Sequence, residues 1–182
     1  MKTRQMTRIA ILAALSAILF FIEIPVFAFY RLDFSNLPAL IGGFAMGPVA
    51  GALICLIKSL TGLLHSSTGG VGELADLLMG IALVAPAAML YSRKKTRTSA
   101  VIGMIAGSFS LAAVGILANY YILIPFYGVT DEVLMNMAPS FIHVTGRWSF
   151  VLTVTLAFNI IKGAAISLVT LMIYKPLSPI LH

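Results

Sequence analysis

The chain has 182 residues, of which 60% are hydrophobic and 10% charged, where an ordinary soluble domain is about 45 to 50% apolar and about 25% charged. That composition excludes a soluble globular protein, and a single cysteine, Cys55, excludes a disulfide framework. The formal net charge of +6 arises from twelve Lys and Arg against six Asp and Glu; the basic residues form two short clusters that fit a membrane surface better than a nucleic acid.

In chain order, Lys2, Arg4 and Arg8 come first and an apolar run at 9–29 follows. That run exceeds the roughly 7 to 15 residues of a signal-peptide core, so it is predicted as the first membrane span. The stretch 37–64 fits one tilted helix or two short ones. Later runs at 74–92, 99–124 and 148–174 are each long enough to cross a hydrocarbon layer about 30 Å thick.

Charge parity decides the ambiguous stretch. The N-terminal cluster and the cluster Arg93, Lys94, Lys95 and Arg97 both belong on the cytoplasmic side, which requires an even number of crossings between them. Splitting 37–64 at Gly47-Pro48 supplies it, because proline is tolerated in the first turn of a helix. The prediction is an all-α integral membrane protein of six transmembrane helices, with cytoplasmic N- and C-termini and short second and third helices of roughly 14 to 17 residues. Residues 1–182 then form a single transmembrane domain.

Three segments fall on the outer side: 30–36, 66–72 and 125–147. The second, Ser-Ser-Thr-Gly-Gly-Val-Gly, is a flexible loop without the Lys-Ser/Thr of a phosphate-binding loop. The third carries Asp131, Glu132, His143 and Arg147, and its length suits a lid or a solvated connector equally.

Ionisable groups at membrane depth are costly and therefore functional candidates. Glu23 is close enough to the outer interface to snorkel. Lys58 either reaches an interface or pairs with Glu73 or Asp76. Lys162 lies deep in the last span and needs an anionic or carbonyl-rich partner. Asn159, three positions before it, shares its helical face, and Asn119 lies in the outer part of the fifth span. Two amides and an ammonium can read the edge of a planar, imide-like ring; interhelical hydrogen bonding is the simpler role for both amides. Tyr120, Tyr121, Tyr127 and Trp148 form either an interfacial aromatic belt or a stacking wall. In the first span, Ala10 and Ala14, like Ala13 and Ala17, are four apart, a smooth stripe for close helix approach.

No catalytic or nucleotide-binding motif occurs, and the three histidines, His65, His143 and His182, are too scattered for a metal site. No metal, cofactor or enzymatic activity is expected. Uphill movement of a solute would draw its energy from a partner or an ion gradient.

Several segments in order carry a resemblance: the Ala-x-x-x-Ala stripe, Leu-Asp-Phe-Ser-Asn-Leu-Pro at 32–38, Gly-Pro-Val-Ala-Gly at 47–51, Thr-Gly-Gly-Val-Gly-Glu-Leu-Ala at 68–75, 119–127, and Phe-Asn-Ile-Ile-Lys-Gly at 158–163. Together they resemble the riboflavin-specific S component of energy-coupling factor (ECF) transporters. The resemblance implies a substrate-binding membrane protein of a prokaryotic plasma membrane. Its implied partners are one transmembrane coupling protein and two cytoplasmic ATPases. It further implies that Asn119, Asn159 and Lys162 hydrogen-bond the isoalloxazine ring, that Leu32, Asp33 and Phe34 help line the site, and that Ala10 and Ala14 contact the coupling protein. The competing expectation is a membrane assembly or packing subunit with no small-molecule ligand.

Overall fold

The structure, a computed structural model, describes residues 3–27, 30–140 and 142–181; Lys2, Phe29 and His182, which entered the sequence reading, lie outside the described residues. Small residues set how the first helix, α1 (Thr3–Phe20), packs. Ala13 and Ala17 are buried with Ile9, Leu12 and Ser16, so α1 lies closely on its neighbours, while Ala10 and Ala14 face outward among exposed Ile11, Leu15 and Ile18.

The helix ends at Phe20, well short of the predicted end at 29. Pro25 cannot donate to a helical hydrogen bond, and β-branched Ile24 and Val26 beside it favour extended backbone. The segment instead forms β1 (Ile24–Phe27), paired antiparallel with β2 (Tyr30–Leu32), with Ile24 opposite Leu32 and Pro25 opposite Arg31. The outer part of the expected first span is therefore a hairpin.

The predicted break at Gly47-Pro48 is present. Gly47 has φ 95, a value that favours glycine, and separates α2 (Asn36–Met46) from α3 (Pro48–Gly62), whose first residue is Pro48. The 11 residues of α2 extend only about 16 Å. The third helix has the expected short length, 15 residues, and a 3₁₀ turn, Leu63–His65, prolongs it into the 18-residue apolar segment Pro48–His65. Gly62 keeps helical dihedrals and so does not stop the chain there.

Helices α4 (Val71–Arg93) and α5 (Arg97–Ala118) follow. A π-helical turn, Asn119–Leu123, leads from α5 into α6 (Ile124–Phe126). Pro125 explains it: its ring would clash with, and its missing N–H leaves unpaired, the carbonyl four residues earlier, and the helix widens so that Ile124 N–H bonds the carbonyl of Asn119. The segment that follows α6 contains α7 (Asp131–Met137). Finally α8 (Arg147–Phe150) passes through a second π turn, Val151–Thr155, into α9 (Leu156–Leu181).

Among the described residues, five segments are long and apolar enough to cross a membrane: Thr3–Phe20, Pro48–His65, Val71–Arg93, Arg97–Phe126 and Arg147–Ile173; α2 is a shorter apolar helix beside them. The closest packing is between α4 and α5, where a Cβ at Gly107 would come within 2.3 Å of the Leu83 carbonyl oxygen. Leu40, Ile54, Leu83, Val84, Leu111 and Ile166 form the fully buried main core. A second, smaller core gathers Tyr30, Ile124, Leu134, Phe150 and Val151, so the hairpin and α7 are anchored to α6, α8 and the second π turn. Leu134 of α7 is completely buried, a contribution of about 1.5 to 3 kcal/mol that a freely solvated connector would not make.

Candidate functional site

The hairpin, the turn after α3, the start of α4, the π turn after α5 and the first two turns of α9 line a cavity of about 810 Å³, within the roughly 300 to 1,000 Å³ of small-molecule sites. Phe20, Met79, Leu123 and Phe158 supply apolar wall, and Asn119, Asn159, Lys162 and Asp33 stand among the polar lining. Four of the six expected ligand-binding residues thus meet at one cavity.

Asn159 is completely buried on α9, and neither its Nδ2 donor nor its Oδ1 acceptor is paired with any described group. It fits because position 115 on α5 is glycine: a Cβ there would lie 2.3 Å from Asn159 Nδ2. The interhelical hydrogen bond expected of this amide is not made. A buried amide left unpaired costs about 1 to 3 kcal/mol, so its retention in a cavity wall points to a polar group arriving from outside the chain.

One helical turn on, Lys162 Nζ lies 2.6 Å from Asp33 Oδ2, which is the anionic partner its depth required. Asp33 Oδ1 in turn accepts hydrogen bonds from Ser35 N at 2.9 Å and from Ser35 Oγ. Burial works to raise the Asp33 carboxyl, but the ammonium groups of Lys162 and Lys58, with the hydrogen bonds from Lys162 and Ser35, hold it down at about 2.

Lys58, fully buried, continues the row. Its Nζ donates to Ser35 Oγ at 3.1 Å and Asn36 Oδ1 at 2.8 Å and pairs with Asp76 Oδ2 at 2.6 Å. Of its two expected partners, Asp76 is the one engaged; Glu73 is instead held by Ser66 Oγ at 2.8 Å and Thr68 Oγ1 at 3.0 Å. Two ammoniums and two carboxylates thus alternate across α9, the loop at 33–35, α3 and α4, and their charges cancel, as burial demands. Ser16 Oγ donates to the Ser35 carbonyl, which fastens α1 to the same loop.

Asn119 is buried at the π turn. Its Nδ2 donates to the Gly115 carbonyl at 2.7 Å and its Oδ1 accepts from Tyr30 OH at 3.2 Å. Tyr30 OH also lies 2.5 Å from Thr155 Oγ1 in the second π turn, and its ring packs on Phe158 at 4.8 Å between centroids. Burial pushes the Tyr30 phenol well above its usual pKa, the Thr155 hydrogen bond opposing the shift. The two widened turns, a feature frequent at functional sites, therefore meet at one tyrosine.

The remaining expectations divide. Leu32 pairs with Ile24 in the hairpin and Phe34 packs against the main core; neither lines the cavity. Glu23 lines it and pairs with exposed Arg31 at 2.5 Å. Of the aromatics, Tyr127 lines the cavity, whereas Tyr120 stacks on Trp148 at 4.3 Å and Tyr121 is 64% exposed. Tyr30, Ser35 and Thr155 were not anticipated. No spacing marks Tyr30 and Thr155, which meet across the fold, whereas Ser35 sits two positions from Asp33 in a local Asp-x-Ser turn.

The polar lining is amides, hydroxyls, ion pairs and the carboxylate of Glu73, and among the described residues no group of metal-binding side chains occurs. It can orient a largely apolar ligand that presents a polar edge.

Comparison with known proteins agrees in scope and kind. The family model for the ECF transporter substrate-specific component matches residues 4–174. The chain is 31% identical over 180 residues to riboflavin transporter RibU of Staphylococcus aureus (strain TCH60), covering 97% of this chain and 92% of that protein. It is 25% identical over 187 residues to riboflavin transporter FmnP of Bacillus subtilis (strain 168), covering 98% and 94%. A solved chain described as "Structure and mechanism of the S component of a bacterial ECF transporter" superposes with a TM-score of 0.80 at 30% identity, covering 100% of this chain and 99% of that one.

Proposed function

Because the chain belongs to the family of substrate-specific components of ECF transporters, we propose that its cavity binds riboflavin at the outer face for uptake. It is a membrane transport component and not an enzyme. The observation that carries the ligand reading is Asn159, a buried amide with both polar atoms unpaired in the wall of a flavin-sized, largely apolar cavity. Isoalloxazine offers broad apolar faces and a pyrimidine edge with an N–H between two carbonyls. An amide presents the complementary acceptor and donor.

Within this reading Asn159 takes the ring edge. Asn119 retains one donor and one acceptor position at its amide, and Lys162, held by Asp33, places positive charge beside the carbonyl side of the ring. Asp33 acts by fixing Lys162, and Leu32 and Phe34 act by shaping the loop that carries Asp33. The whole chain is one substrate-binding unit, with α2 as the sixth and shortest crossing and both termini cytoplasmic. It lies in a prokaryotic plasma membrane, and the outward stripe of Ala10 and Ala14 meets a transmembrane coupling protein that works with two ATPases. A packing subunit without ligand is disfavoured by the unpaired amide, which would be a cost with no return.

Detergent-purified protein titrated with riboflavin tests the proposal. Quenching of flavin fluorescence at micromolar concentration or below is the expected result, and a chain indifferent to micromolar riboflavin overturns it.

A further inference from the structure

Four carboxylates line the cavity: Glu23, Asp33, Glu73 and Asp76. Three are neutralised, by Arg31, Lys162 and Lys58 respectively. Glu73 has no cationic partner among the described residues. It is 8% exposed and sits in the first turn of α4, where Ser66 Oγ and Thr68 Oγ1 both donate to its Oε2. Gly62 makes room for it: a Cβ there would stand 3.2 Å from Glu73 Cγ and 2.8 Å from Phe20 Cε1. The same wall includes Ser67 and Thr68, and its basic side chain, His65, is exposed and packs edge-on against Phe21 at 5.5 Å.

Resting on the riboflavin reading above, we infer that Glu73, with the turn that holds it, is the subsite for the ligand's uncharged polyhydroxylated tail and sets preference against a phosphorylated tail. A carboxylate only accepts hydrogen bonds and has about four lone-pair positions. Two are used by Ser66 and Thr68, which leaves acceptor capacity for sugar-alcohol hydroxyls. The ring-reading groups lie on the other walls, on α5 and α9, so a tail leaving the ring toward α4 meets hydroxyls and one un-neutralised anion. A phosphate dianion brought there would face like charge, while the cavity's Arg31 and Lys162 are already held by Glu23 and Asp33.

The experiment uses the full chain in detergent and three ligands with one ring system: riboflavin, lumiflavin with a methyl in place of the tail, and riboflavin 5′-phosphate. The wild-type chain is expected to bind riboflavin tighter than either of the others by about tenfold or more. Glu73→Gln is expected to narrow the gap between riboflavin and its phosphate by about tenfold while changing lumiflavin affinity less than about twofold. Retained lumiflavin binding also certifies that the variant is folded. Equal wild-type affinity for riboflavin and lumiflavin, or a Glu73→Gln effect of the same factor on all three ligands, overturns the inference. Failure of the wild-type chain to bind any of the three overturns the flavin reading, and this inference with it.

Discussion

Lys162 and Asp33, 129 positions apart in sequence, form a buried ion pair of 2.6 Å that joins the last membrane helix to the loop after the hairpin. Neither charge is tolerable there alone, so the loop position and the helix rotation are set together, with Asn159 carried on the same helical face.

Asn159→Ala is expected to weaken riboflavin binding by about 1 to 3 kcal/mol, roughly 5-fold to 150-fold. Protein stability should hold or rise slightly, because an unpaired buried amide is removed. Fluorescence titration beside a thermal melt separates the two effects. A fall in melting temperature with unchanged affinity would show that the amide serves the fold.

Gly115→Ala is expected to displace Asn159 from its seat, since the new Cβ overlaps Asn159 Nδ2. Overpacking of this kind costs about 1 to 3 kcal/mol, and affinity should fall at least as far as in Asn159→Ala. If the double variant binds no worse than Asn159→Ala alone, the two changes act through the same amide; full additivity would deny that route.

Lys58→Met should destabilise by about 3 to 5 kcal/mol, because Asp76 is then buried without its cation. Lys58→Met combined with Asp76→Leu should recover most of that loss. The comparison is a set of melts in one detergent, and a double variant as unstable as the single one would contradict the pairing argument.

For Asp33 the folded value of about 2 lies below an ordinary carboxyl of about 4. The unfolded chain therefore takes up this proton first as pH falls. The stabilisation from Asp33 is complete above about pH 4 and is lost as pH drops toward 2. Melts across pH 2 to 7 should show this acid loss in wild type and a smaller one in Asp33→Asn, whose pH 7 stability is already reduced.

Ala10 and Ala14 are exposed on α1, on the stripe beside the buried Ala13 and Ala17. Replacing either with Leu should leave riboflavin affinity within about twofold, as an exposed change far from the cavity usually stays within about 0.5 kcal/mol of neutral. Co-purification with the coupling protein and ATPases should fall. Equal loss of ligand binding would remove the division of labour between the two faces of α1.

Much of this was legible from the sequence. Gly47-Pro48 announced the break because proline at a helix start and glycine before it are local constraints. Asn159 and Lys162 could be placed on one face because helical spacing is local too. The hairpin is hidden in the long apolar run 9–29, where Pro25 and β-branched Ile24 and Val26 mark the helix end but the pairing of 24–27 with 30–32 leaves no signal. Lys58 had two acidic candidates one turn apart, and the choice of Asp76 depended on Ser66 and Thr68 claiming Glu73 first. Tyr30, reaching across to both Asn119 and Thr155, leaves no periodic trace at all.

Each π turn winds one more residue into its coil than an α-helix would over the same rise. A relative whose fifth or last helix is regular will therefore align to this chain with a one-residue gap at 119–123 or 151–155. The placement of that gap decides whether Asn119, at the mouth of the first such turn, is matched to its true counterpart or to a neighbour rotated about a hundred degrees away.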